Sequence, residues 1–329
     1  MKKVVGYAIL MLIIVVVIPM IIVHNIDIVT APEKSITEKD SITINVYITE
    51  QKKTVKMKLD EYLLGVVAAE MPASYEMEAL RAQAIAARTY ALGRATKLYV
   101  SNTDNTHNGA DVCTNPGHCQ AWISKNTAMK RWGLLSSIGN WKKICNAVSE
   151  TSGQVLEYKD VLINPLFHSN SGGHTENVED VWNEAQVPYL RGVESFGEDT
   201  SKEYKNEVIL EQKDMVNALE KYNPKIEFKH TNIMSDIEIK KYSQGGRVID
   251  MQIGNIIMKG TEFRKIFQLK STNMKIVEQP DGKISITTLG YGHGVGMSQC
   301  GANYLAQKGY SYEDILMYYY KDVEIKQIS

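Results

Sequence analysis

An α+β fold, with helices and strands in separate runs, is what this sequence predicts, and three observations predict it. Apolar residues alternate strictly at Ile42, Ile44, Val46 and Ile48, and again at Val55, Met57 and Leu59. Helical spacing then takes over from Glu61 to about Leu92. From Val155 onward, short strand-like runs are separated by glycine-rich turns before two closing helices. This order is not the repeating strand, helix, strand of a doubly wound sheet.

The chain has 329 residues, 44% of them hydrophobic, and a formal net charge of −1. That is enough apolar material for a substantial core, and the charge balance argues against nucleic acid as a bulk electrostatic partner. Met1-Lys2-Lys3 precedes an unbroken apolar run from Val4 to Val23, the length that spans a bilayer as a helix. A cleaved signal peptide would have a shorter apolar region and a small-residue cleavage site, and none follows Val23. Residues 1–23 are therefore expected to be a short cytoplasmic stub and a transmembrane signal anchor. Lys2 and Lys3 place the N-terminus in the cytoplasm, so everything after His24 is expected outside it. Residues 24–41, polar and charged with Pro32, read as a tether, and residues 42–329 as one mixed domain.

The alternation from Ile42 to Leu59 predicts a β-hairpin. Asp60 is a candidate N-cap for a short helix through Ala69, which must stop before Pro72 because the residue ahead of a proline avoids the α region. Ser74 can cap the next helix, whose apolar stripe is Met77, Leu80, Ala84, Ala87 and Ala91. A loop bearing cysteine and histidine runs from Ser101 to Cys119, and Ala121 to Cys145 is ambiguous. Val161–Ile163 and Val248–Ile253 read as strands, and the charged stretch from Glu198 to Lys241 reads as surface decoration. Helices from Gln299 to Lys308 and from Ser311 to Tyr320 close the chain.

Four constellations carry chemistry. Glu70 sits between Val66-Val67-Ala68-Ala69 and Met71-Pro72, at the carbonyl end of the first helix. Apolar surroundings and helix carbonyls both favour the protonated carboxyl, which is what a general acid needs. The alternatives are a dipole partner for the N-terminus of the second helix or a structural ion pair with Arg81 or Arg88. "FHSNSGGHTE", residues 167 to 176, offers hydroxyls, imidazoles and a Gly-Gly backbone that a ligand can approach, or else is a polar turn. In "GYGHGVGMSQ", residues 290 to 299, glycines at alternate positions around His293 suggest an exposed imidazole on a tight backbone; no strand, loop and helix with a following acid makes it a dinucleotide motif. Finally, His107, Cys113, His118 and Cys119 fall within thirteen positions. They suit tetrahedral zinc in a structural role, with a Cys113–Cys119 disulfide as the rival outside the cytosol. Cys145 and Cys300 stand apart from this loop and read as core thiols.

Taken together, "AAEMPASYEMEALRAQAIAARTYAL", "FHSNSGGHTE", "VPYLRGVES" and "GYGHGVGMSQCGANYLAQKGYSYEDIL" resemble the stage II sporulation protein D family, whose domain is shared with amidase-enhancer proteins. The resemblance runs from about Ile42 to Lys321. It implies a membrane-anchored peptidoglycan lytic transglycosylase of engulfment in endospore formers, lying between the mother-cell and forespore membranes. The family's catalytic glutamate falls on Glu70, and its basic and tyrosine site positions on Arg81, Arg88 and Tyr189. His168, Ser169 and His293 would help to position sugar. The implied substrate is glycan stripped of its peptides by a partner amidase, stage II sporulation protein P, in a complex with membrane protein M. The Cys-His loop occurs in only some members, so zinc is expected on the residues themselves.

Overall fold

A computed structural model describes residues 42–98, 107, 109–182 and 185–328, together with Met11 and Val15. The expected anchor and tether otherwise lie outside the described residues, as do residues 101–106 of the Cys-His loop. Among the described residues no helix is long and apolar enough to cross a membrane.

The fold is mixed α and β, built around two hydrophobic cores. The first begins with the expected hairpin: β1 (Thr43–Ile48) and β2 (Lys53–Lys58) pair antiparallel from Thr43 with Lys58 to Ile48 with Lys53. Period two sends Ile44, Val46 and Ile48 inward. Helices α1 (Leu59–Glu70) and α2 (Met77–Ala95) follow. Neither uses the expected cap: no side-chain cap bond forms at either N-terminus, and Asp60, the second residue of α1, instead accepts from Arg88 and Ser152.

Helix α2 is the centre of this core. Leu80, Ala84, Ala87 and Ala91 are buried as the stripe requires, but so are Ala79, Ala82 and Ala86. Neighbours pack around nearly the whole helix, and alanines are small enough to admit them. Those neighbours include α1, α3 (Lys125–Glu150), β4 (Gln154–Tyr158), α7 (Gln299–Gln307) and α8 (Tyr312–Tyr319). The ambiguous stretch is thus mostly helix, with a break at Gly133, whose backbone has φ 74° and ψ 171°. Strand β4 carries β5 (Val161–Leu162) on one side and β14 (Glu324–Gln327) on the other.

The second core corrects the reading of residues 198–241 as decoration. Strand β7 (Lys205–Leu210) completes a three-stranded antiparallel sheet with β11 (Asn273–Glu278) and β12 (Ile284–Leu289). A second sheet holds β8 (Ile237–Tyr242), β9 (Val248–Ile253) and β10 (Ile256–Lys259), with α5 (Gln212–Tyr222) and α6 (Gly260–Ile266) against the cluster. The many charges lie on the outer faces, while Met215, Leu219 and Ile233 from this segment are buried with Met251, Phe263 and Ile286. High charge density hid a sparse apolar period.

Candidate active site

Glu70 is the last residue of α1. Met71 leaves the helix in extended conformation, as a residue before proline must, and so the carboxylate stays at the carbonyl end. Its Oε1 accepts from the Ala121 backbone N–H at 2.7 Å. Its Oε2 accepts from Gln299 Nε2 at 3.4 Å, and the same Gln299 amide donates to Gln83 Oε1 at 3.2 Å. Burial pushes the Glu70 carboxyl above its ordinary value, opposed by the donors from Ala121 and Gln299. The side chain nevertheless keeps part of its surface exposed.

Each partner is positioned by its own element. Gln299 opens α7, whose N-terminus is capped by Ser298 accepting from Gly301 N–H. Gln83 is wholly buried on α2. Ala121 is held because the next residues dock on α1 at Gly65: Ile123 N–H donates to Gly65 O at 3.2 Å, and a Cβ on Gly65 would stand 2.1 Å from Trp122 Nε1. The lone glycine of the apolar run is therefore the seat of the segment that grips Glu70.

That segment emerges from the Cys-His cluster. The donor atoms of His107, Cys113, His118 and Cys119 all lie within 4.8 Å of one another. His118 Nδ1 is 3.6 Å from Cys113 Sγ and 3.5 Å from Cys119 Sγ, and Cys119 Sγ is 3.2 Å from His107 Nε2. Both cysteines are free thiols. Such a set could hold a metal ion, and two sulfurs with two imidazole nitrogens are the donors tetrahedral zinc takes. Cys113 ends β3 (Val112–Cys113), paired parallel to β1, so the cluster is fixed to the first sheet.

The two glycine-rich motifs are interlocked. Strand β6 (Phe167–His168) pairs parallel with β13 (Met297–Ser298), and bridges join Asn170 to Tyr291 and Glu176 to Val295. Gly290, Gly292, Gly294 and Gly296 all have positive φ, which accounts for glycine at every second position. His293 is less exposed than the sequence suggests. Its ring lies 5.5 Å from His168 and 5.1 Å from Trp182, at the end of α4 (Val178–Trp182). Burial and the nearby Arg247 and Arg264 push His293 down to about 3, and burial holds His168 well below the ordinary imidazole range. Both rings are thus neutral hydrogen-bonding groups. His168 Nδ1 is 3.1 Å from Val295 O, and its Nε2 is buried without a hydrogen-bonding partner. Because Ser298 ends this strand pair and Gln299 follows, the same backbone that holds the imidazoles delivers the amide to Glu70. Ser169 accepts the Cys300 N–H through its carbonyl and is part-exposed.

Comparison with known proteins follows this geometry. The family described as "Stage II sporulation protein" matches residues 47–158, which hold Glu70 and the Cys-His cluster. The chain is 35% identical to stage II sporulation protein D of Bacillus amyloliquefaciens over 88% of its own length and 81% of that protein, and 35% identical to the Bacillus subtilis protein of the same name over 87% and 79%. The chain belongs to the stage II sporulation protein D family. It is also 28% identical to an amidase enhancer of Bacillus subtilis, over 78% of this chain and 39% of that protein. A domain of unknown function (DUF8618) matches residues 190–296, a span that takes in most of the second core.

Within this stage II sporulation protein D relative, the structure separates the expected site residues. Glu70, by way of Gln299, and His168, by way of Val295, are held by the same stretch of backbone, residues 293–299, that carries His293. Arg88 stands apart: it is 1% exposed, and its guanidinium donates to the Val148 and Thr151 carbonyls at the end of α3, to the Gln154 carbonyl at the start of β4 and to Asp60. It satisfies orphan carbonyls of a helix terminus rather than meeting a sugar. Arg81 is engaged by Glu78 and Glu150. Neither arginine is among the groups that shift Glu70. Tyr189 accepts from the Asn164 N–H at 3.1 Å and lies against Tyr158.

Three residues escaped sequence reasoning. Gln299 was quoted within a motif without a role. Arg247, 2% exposed, donates to Gly292 O at 3.0 Å and Ser171 O at 2.9 Å, and stands 3.8 Å from Glu176. Glu198, also buried, takes the Ser171 hydroxyl at 2.7 Å and the Gly172 N–H at 3.1 Å. Only position in space unites these two with the glycine loops, although for Arg247 a charge directly beside the apolar Val248-Ile249 was a weak signal.

Proposed function

We propose that this chain is a peptidoglycan lytic transglycosylase with Glu70 as its acid and base. One observation carries the reading: a single carboxyl, raised by burial yet part-exposed, is held by an N–H and an amide at a helix end, with no second carboxylate among the described residues acting on it. Ordinary glycosidases use two carboxylates. One suffices when the substrate supplies its own nucleophile. Glu70 gives its proton to the oxygen linking N-acetylmuramic acid to N-acetylglucosamine; the muramoyl C6 hydroxyl closes on C1, and Glu70 takes the hydroxyl proton. Atoms balance, the product is a 1,6-anhydro end, and Glu70 is again protonated.

The other groups have supporting roles. His168, Ser169 and His293 offer neutral donors and acceptors for sugar. His107, Cys113, His118 and Cys119 would hold zinc, whose contribution is to brace the segment leading to Ala121. Sporulation is the setting given by the family's name. Within it we place the chain on the outer face of a membrane through its N-terminal apolar run, acting on denuded glycan beside the amidase stage II sporulation protein P and protein M.

The similarity to an amidase enhancer favours a second reading, a glycan-binding module that stimulates an amidase without cutting. Incubating the full chain with denuded glycan strands and examining the products by mass spectrometry separates the two. Lytic action yields 1,6-anhydromuramoyl ends that vanish with Glu70→Gln. No such ends from the parent would leave the enhancer reading standing; ends that persist in that variant would overturn Glu70 as the acid.

A further inference from the structure

Helix α3 is not one rod. Lys125 and Trp141 are sixteen residues apart, about 24 Å along a continuous helix, yet Lys125 Nζ lies 5.4 Å from the Trp141 ring centroid. Trp132 and Trp141 are 6.5 Å apart by the same measure. The chain folds back at Gly133, where the left-handed φ of 74° breaks the helix, so residues 125–132 and 134–150 form two arms of a hairpin. The second arm is anchored: Ile144, Ala147 and Val148 are buried, and Lys143 donates to the Tyr75 carbonyl.

The tip is unlike the rest of the surface. Leu134 and Leu135 are 95% and 105% exposed, and Ile138 on the following turn is 42% exposed. Two leucines left in water are unfavourable relative to burial, and no described residue covers them. The charges of the sequence on either side of them have one sign. Between Gln120 and Ser149 there are five basic residues and no aspartate or glutamate, and Lys130, Arg131 and Lys142 flank the tip exposed. Aliphatic side chains gain little from sugar hydroxyls, and a protein partner would have no need of so uniform a positive collar. Aliphatic residues at a tip with basic residues behind them suit a surface that is hydrocarbon inside and anionic at its boundary.

We propose that the Gly133 hairpin tip inserts Leu134, Leu135 and Ile138 into the boundary of an anionic phospholipid bilayer. The hairpin flanks the Glu70 segment at both ends, through Ala121 before it and Lys143 on Tyr75 within it. Insertion therefore turns the catalytic face to a fixed angle and height over the membrane. This holds whether Glu70 cuts glycan or only binds it.

All four tryptophans lie between Trp122 and Trp182, and residues 1–41 contain none, so tryptophan emission in the full chain reports on residues 42–329 and not on the N-terminal apolar run. The full chain is reconstituted in vesicles of brominated phosphatidylglycerol or of brominated phosphatidylcholine. The expected result is loss of tryptophan emission in the phosphatidylglycerol vesicles, weakened by high salt, retained in Trp182→Phe and abolished by Leu134→Ser with Leu135→Ser. Both leucines are fully exposed, so the double variant keeps its fold and its melting temperature. Emission unaffected by brominated lipid, or quenched equally in the serine variant, overturns the proposal. So does a lipid-free dimer lost in the serine variant, which would make the tip a self-association surface, or protection of the tip by soluble glycan instead of lipid.

Discussion

Glu70 shows how one carboxyl is tuned at the cost of stability. Burial raises it above its ordinary value of 4.5. The native chain therefore binds this proton more tightly than the unfolded chain, and stability falls as pH rises between the unfolded and folded values. Above the folded value the full penalty applies. Replacing Glu70 by glutamine keeps an acceptor for the Ala121 N–H and removes the penalty. We expect Glu70→Gln to melt with the parent near pH 4, where both are neutral, and above it at pH 8; a melting temperature at pH 8 no higher than the parent's would mean the carboxyl is not raised. The same direction of shift predicts that glycan cleavage declines on the alkaline side as Glu70 loses its proton. Arg81 and Arg88 have no part in this, because each is already committed to other partners.

At the scale of elements, the site is a meeting of helix ends. The C-terminus of α1 supplies the carboxyl, the first residue of α7 supplies the amide, and the segment leading into Trp122, which lies on Gly65, supplies the N–H. Gly65→Ala puts a methyl group into the Trp122 indole and the Ile123 carbonyl. Overpacking of this kind costs about 1–3 kcal/mol, and the segment's retreat would draw Ala121 from Glu70. A lower melting temperature together with reduced kcat is the expected pair of results, measured by calorimetry and by release of anhydro ends. An alanine variant with parental kcat would show that Glu70 does not depend on this docking.

Across the whole molecule, one buried guanidinium joins the two cores. Arg247 directly precedes β9 of the second core, while its guanidinium grips the Ser171 and Gly292 carbonyls of the glycine loops beside Glu176. Removing one member of a buried charged pair costs about 3–5 kcal/mol. Arg247→Met should lose about that much and also uncouple the cores. Since none of the four tryptophans belongs to the second core, unfolding followed by tryptophan emission and by far-ultraviolet dichroism should coincide in the parent and separate in the variant. Coincident transitions in Arg247→Met would rule out this coupling.

What the sequence determined by itself was local. Period-two alternation placed the hairpin from Thr43 to Lys58, and Pro72 stopped α1 at Glu70. Ser311 capped the last helix, and the spacing of His107, Cys113, His118 and Cys119 announced a cluster. All of these follow from interactions between residues near one another in the chain. The tertiary structure alone decided that Gln299 reaches Glu70 from 229 positions away, that Arg88 serves a helix end, and that residues 198–241 build half a core. It also decided that α3 doubles back on itself, leaving two leucines bare. Each of these depends on which distant surfaces pack together, and packing is set by the shape of the assembled chain, which no local pattern records.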